Sequence, residues 1–120
     1  MEILYEDKYC KLVKGMIEVK CYYFPTFQSK WIKLCSVKRI FYERQKFRPF
    51  VIKGWGMSLS PIWWAKDLTR GFKQDKYNFV LQLENTLLDV GFTVVDGPRL
   101  IKAILPMLMR NTPIFDSILY

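Results

Sequence analysis

The sequence predicts a mainly β domain closed by one C-terminal helix, an α+β chain in which the strands come first. Three observations predict it. Aromatic residues make up 17% of the 120 positions, and Tyr, Phe and Trp fit a pleated, half-buried surface better than a helix. From Cys10 to Val94 apolar and polar residues alternate in short runs bounded by Gly, Pro and other turn residues. After Val95 the apolar period lengthens from about 2 to about 3.6 residues, the signature of a helix.

In "CKLVKGMIEVKCYYF", Leu12, Ile17 and Val19 point inward while Lys11, Glu18 and Lys20 point out, and Lys14-Gly15 marks the turn of a hairpin. "FPTFQ" breaks the pattern, and "SKWIKL" opens a third strand with Ile32 and Leu34 inward. Val37 and Ile40 lie three apart, which fits a bulge or a short turn ahead of the next strand. Gln45 to Ile62 reads as irregular, holding Pro49, Gly54, Gly56 and Pro61. Phe79, Leu81 and Leu83, then "ENT", then Leu88, Val90, Phe92 and Val94 read as a second hairpin.

Asp96 is placed to cap a helix spanning about residues 98–110, with Pro98 in its first turn, where the missing N–H is harmless. Ile101, Ile104, Leu105 and Leu108 form its apolar stripe, and Arg99, Lys102, Pro106 and Arg110 its wet face. Pro106 predicts a gentle bend. Residues 111–120 are left as an apolar tail. The whole chain, residues 1–120, is expected to form one domain, an open barrel or orthogonal sandwich sealed by the helix.

Composition excludes much chemistry. There is no histidine, so neither an imidazole base nor a His-containing zinc site can exist. Cys10, Cys21 and Cys35 contain no CxxC pair and predict buried, reduced thiols rather than a disulfide framework or a metal knuckle. The acids are scattered and no phosphate loop follows Gly54 or Gly56. No catalytic residue, metal or cofactor is expected, and the chain is not read as an enzyme. "MEILYEDKY" is acidic and too short in apolar length for a signal peptide, and the longest uncharged stretch, Gly54–Ala65, has 12 residues. A soluble, cytoplasmic protein without a transmembrane segment is the expectation.

Two constellations remain. Between Ser29 and Lys53 eight basic residues meet one acid, Glu43, which places +7 of the formal +8 charge in that segment. Within it, Lys38, Arg39, Arg44, Lys46, Arg48 and Lys53 form the candidate anion-binding set, with Arg44, Lys46 and Arg48 at alternate positions. An extended chain spaces such residues about 6.6 Å apart on one face. The same charges could instead guard an exposed strand edge. Trp63, Trp64 and Arg70 form the candidate aromatic group; the adjacent tryptophans must point to opposite faces of a strand, one into the core and one outward. Arg70 would be held by Asp67 and stacked on a ring, or would help form a ligand surface.

Taken together, "YYFPTFQSKWIKLCSVKRI", "KGWGMSLSPIWWAKDLTR" and "VGFTVVDGPRLIKAIL" resemble a group of small bacterial-type pleckstrin-homology-like (PH-like) domain proteins, over roughly residues 10–110. The resemblance implies a bent antiparallel sheet of about seven strands capped by one helix, and it implies binding rather than catalysis. The phosphoinositide-binding pattern of such domains sets several basic residues in the first hairpin loop. Here "VKGM" offers only Lys14, so recognition of that headgroup is not expected. The expected function is a non-catalytic binding module contacting a protein or an anionic surface through its basic face. The alternative is a nucleic-acid binder, favoured if Tyr22, Phe24, Trp31 or Tyr42 lie exposed among the lysines.

Overall fold

The computed structural model describes residues 2–23, 25–45, 56–57, 62–68, 70, 75–108 and 112–118, without the side chains of 56–57. It is mainly β, with two sheets and one C-terminal helix. The first sheet runs β1 (Ile3–Glu6), β2 (Cys10–Val13), β3 (Met16–Tyr23) and β4 (Gln28–Lys33), in that order and antiparallel throughout. The second contains β5 (Val37–Arg44), β6 (Gly56–Met57), β7 (Ile62–Trp64), β8 (Tyr77–Leu83), β9 (Asp89–Val94) and β10 (Ile114–Phe115), ordered β10-β5-β8-β9-β7-β6. An open barrel or orthogonal sandwich of about seven antiparallel strands was the expectation. Two sheets holding ten strands are seen among the described residues, and β5–β10 and β7–β9 pair in parallel. Parallel partners come from distant segments, so no hairpin signal announces them.

The predicted hairpins are present. Gly15 closes β2–β3 with φ 80°, a conformation open to glycine at no steric cost. Asn85 takes φ 59° in the turn between β8 and β9, where Asn is tolerated better than most residues. Leu88, expected inward, lies exposed in that turn. The spacing of Val37 and Ile40 resolves into a short 3₁₀ turn at Leu34–Ser36 followed by a register shift between Val37 and Arg39.

A second irregularity was not anticipated. Cys21 has φ 54° and the β3–β4 register shifts between Val19 and Tyr23. The inward set therefore changes from odd to even positions: Ile17 and Val19 are buried, and so is Tyr22, while Tyr23 turns outward. One slipped residue is enough to exchange the faces of a strand.

One core lies between the sheets. Leu12, Ile17, Val19 and Ile32 from the first sheet meet Ile40, Phe79, Leu81, Phe92 and Val94 from the second. Each such fully buried side chain contributes about 1.5–3 kcal/mol relative to exposure. A smaller cluster of Ile62, Trp64, Val80 and Ile118, with Phe41 packed on it, occupies the other face of the second sheet. The tail is therefore part of the fold: β10 pairs with β5, and Ile118 is buried.

The helix α1 (Gly97–Ile104) closes the main core with Leu100 and Ile104. Asp96 caps it, its carboxylate accepting the backbone amide of Arg99 at 3.2 Å. The helix is shorter than the predicted 98–110. Pro106 cannot donate to Lys102, and the chain tightens into a 3₁₀ turn, Leu105–Met107, closed by the Leu108 amide on the Leu105 carbonyl. Leu105, expected in the apolar stripe, is consequently exposed, whereas Leu100, not expected there, is fully buried.

Candidate binding surfaces

The six-stranded sheet carries cross-strand rows on the face away from the main core. In the middle row Phe41, Val80, Gly91 and Trp64 stand side by side. Gly91 is required there, since a Cβ would lie 2.5 Å from Cε3 of Trp64. The next row holds Glu43, Asn78 and Thr93. The Arg70 guanidinium reaches into it: Nη2 donates to Thr93 Oγ1 at 2.9 Å, Nε to Asn78 Oδ1 at 3.3 Å, and Nη1 to the Ala65 carbonyl at 3.0 Å. Its Cζ lies 4.6 Å from the Trp64 ring. Thr93 in turn donates to the Asp67 carboxylate at 2.7 Å, and Gln45 donates from its amide to Asn78 at 3.0 Å.

This network is buried. Arg70 is 1% exposed and Trp64 0%. The expected stacking of Arg70 on a tryptophan is seen. The expectation of one core and one exposed tryptophan is corrected: Trp64 is enclosed, and Trp63 is half-buried against the main core, its indole N–H donating to the Tyr22 carbonyl at 2.9 Å. β7 is short and packed on both faces, so the Trp64 ring is closed off and the Trp63 ring keeps only part of its surface in solvent. Trp63, Trp64 and Arg70 form no shared ligand surface. Trp64 and Arg70 brace one face of the sheet, and Trp63 braces the other.

The basic set is dispersed along β5. Lys38 is exposed at one end of the strand and Arg44 at the other, about 20 Å apart at strand rise. Arg39 points to the outer face and donates to Gln82 at 2.5 Å, while Arg44 falls on the opposite face with its Cζ 5.7 Å from the Tyr77 ring. Lys46, Arg48 and Lys53 lie outside the described residues, and so does the alternation that singled them out.

Basic side chains outside the candidate anion-binding set meet aromatic rings. The Lys11 ammonium lies 5.6 Å from the Trp31 ring, and that of Lys30 lies 5.7 and 5.6 Å from Tyr22 and Tyr23. Lys8, Lys20 and Lys66 surround a cavity of about 330 Å³ beside Cys21. The Lys30 cluster is made across the turn between β3 and β4, whereas the cavity beside Cys21 joins segments far apart in the chain, which no local spacing could have found.

The thiols divide. Cys10 is buried, and burial pushes its pKa up; Cys21 and Cys35 are exposed, which corrects the expectation of three buried thiols. Cys21 is turned outward by the slip in β3, and Cys35 sits in the 3₁₀ turn. Among the described residues no group of three or more acids and cysteines is placed to hold a metal ion. No helix among them is long and apolar enough to cross a membrane. Comparisons with protein-family models, with curated proteins and with solved structures find no match.

Proposed function

We propose that the chain is a non-catalytic PH-like binding module that engages an acidic protein or lipid surface through the basic segment around β5. The observation that carries this reading is the charge gathered on and around β5, which lies between β10 and β8. β10 covers only Ile40 and Phe41, so edge protection, the ordinary use of Lys and Arg on strands, accounts for the charges on β5 itself and not for the rest of the segment. The segment nevertheless concentrates +7 of the chain's +8 charge. A field of one sign raises the encounter rate with acidic surfaces.

The PH-like part of the reading is supported by strand lengths. Among the described residues only β1–β5, β8 and β9 reach four residues, giving seven principal strands followed by one helix. Lys14, the charge at the β2–β3 turn, offers little to a phosphoinositide headgroup, and capture of that headgroup is not part of the proposal.

A nucleic-acid reading is favoured by Trp31, which is 45% exposed beside Lys11. Aromatic platforms interleaved with lysine suit single strands. Tyr22 is buried and Tyr42 only partly exposed, which counts against it; Phe24 lies outside the described residues.

The test is binding to anionic vesicles, to an acidic polypeptide (polyglutamate) and to single-stranded oligonucleotides, at low and physiological salt. The parent is compared with the Arg44→Glu/Lys46→Glu/Arg48→Glu variant. Vesicle or polyglutamate binding that falls steeply with salt and is lost in the folded variant supports the proposal. Binding of oligonucleotides alone transfers it to the second reading. No binding at low salt, or equal binding by the variant, overturns both.

A further inference from the structure

A groove of about 490 Å³ opens beside the turn between β8 and β9. It is built from four places in the chain: Tyr22 and Tyr23 at the end of β3, Lys30 on β4, Trp63 on β7, and the turn carrying Leu87. The slip at Cys21 makes it possible, since it turns Tyr22 inward and Tyr23 outward at this end of β3. A cleft of this size, lined mainly by aromatic and apolar groups with few polar ones, is the usual form of a small-molecule site.

The polar groups of the lining are mostly committed. The indole N–H of Trp63 is donated to the Tyr22 carbonyl at 2.9 Å, so that ring presents an apolar wall. The Thr86 hydroxyl lies 3.4 and 3.3 Å from the carbonyls of Leu83 and Leu88, pinning the turn. Lys30 differs. Its ammonium donates to the Tyr23 hydroxyl at 3.3 Å and rests over two tyrosine rings, with no carboxylate within 4.0 Å among the described residues. None of the lining residues is acidic. At the mouth Leu87 is 95% exposed and Leu88 37%, apolar surface that an occupant would remove from water.

We infer that this groove binds a small amphipathic acid, its carboxylate on Lys30 and its apolar body against Trp63 and Leu87. Charge complementarity selects the head, because Lys30 is the one cation among the described residues of the lining and carries donor protons beyond the one given to Tyr23. The apolar walls select the body. Lys30 belongs to the charged segment from Ser29 to Lys53 but lies on β4 and not on β5, and the test below leaves Arg44, Lys46 and Arg48 unchanged, so it can fail without the acidic-surface proposal failing.

Decanoate and decanol serve as probes, titrated below their aggregation thresholds and followed by the ¹H–¹⁵N signal of the Trp63 indole. Decanoate should shift that signal saturably and bind at least about tenfold more tightly than decanol. Lys30→Met should abolish the difference between the two probes, while Leu87→Ser should weaken both by about threefold. Both substituted side chains are at the surface, and the indole signal of each free variant reports whether the groove is intact. Absence of saturable decanoate binding below about 1 mM overturns the inference. So does equal affinity of the parent for the two probes, or undiminished decanoate binding by a folded Lys30→Met variant.

Discussion

The carboxylate of Asp7 accepts the backbone amide of Val95 at 2.9 Å, joining the β1–β2 turn to the start of the helix cap. The same side chain accepts the amides of Tyr9 at 2.7 Å and Cys10 at 3.0 Å, and the Tyr5 hydroxyl at 2.5 Å. Tyr5 completes the joint by accepting the Asp96 amide at 3.0 Å, and its phenol is pushed well above the ordinary range, first by burial and then by the bond to Asp7. Asp7→Ala leaves several amides without this acceptor and should destabilise by about 1–3 kcal/mol. Urea unfolding measures it. A midpoint unchanged from the parent would refute the role of the joint.

Gly91→Ala should destabilise by about 1–3 kcal/mol, since its methyl would meet both Trp64 and the Ile62 side chain, at 2.9 Å for the latter. Trp64 and Ile62 are buried in the small cluster and have little room to retreat. Near-UV circular dichroism should change with the displaced indole. Parent-like stability together with a parent-like spectrum would show the contact to be slack.

The thiols should report the fold directly. Under non-reducing conditions the mass should correspond to three free thiols. Ellman's reagent should modify Cys21 and Cys35 rapidly in the native protein and Cys10 only on unfolding, because that thiol is both enclosed and held protonated. Three equally fast thiols would contradict the placement of Cys10.

Asp89 gives a pH test. Its carboxyl is raised above the ordinary range, chiefly by burial and against the opposing hydrogen bond from Gln82. A carboxyl raised in the folded state destabilises the fold when ionised, and that penalty disappears as pH falls to and below the unfolded value of about 3.9. Asp89→Asn should therefore melt above the parent at pH 7, with the gap closing in acid. A gap that widens in acid would reverse the sign and refute the assignment.

How much of this was legible depends on sequence distance. The β2–β3 turn is written locally in Lys14-Gly15, and the helix start in Asp96 and Pro98, because turns and caps are decided by neighbouring residues. β1 was passed over: it is short, and only Tyr5 among its residues is buried. β10 pairs only in parallel among the described residues, and β7 joins the main sheet by a parallel contact with β9, so neither attachment is written in a local hairpin. The helix end was misplaced because a bend and a 3₁₀ turn at Pro106 both satisfy the same pattern. The stacking of Arg70 on a tryptophan was legible in the sequence, but its bonds to Asn78 and Thr93, which come from two other strands, were not. The groove was invisible for the same reason, and also because the Cys21 slip exchanges Tyr22 and Tyr23.

The parallel pairing of Ile114 with Ile40 also orders events in time. Hairpins such as β2–β3 and β8–β9 close over a few residues and can form early, whereas contacts between remote segments must await loop closure. Until 114–115 arrives, one side of β5 carries unanswered amides and carbonyls, and the small cluster lacks Ile118. A nascent or partly unfolded chain thus passes through a stage in which β5 is a bare template for another copy's strand. The positive charges of Lys38 and Arg39 would repel a second copy during that interval.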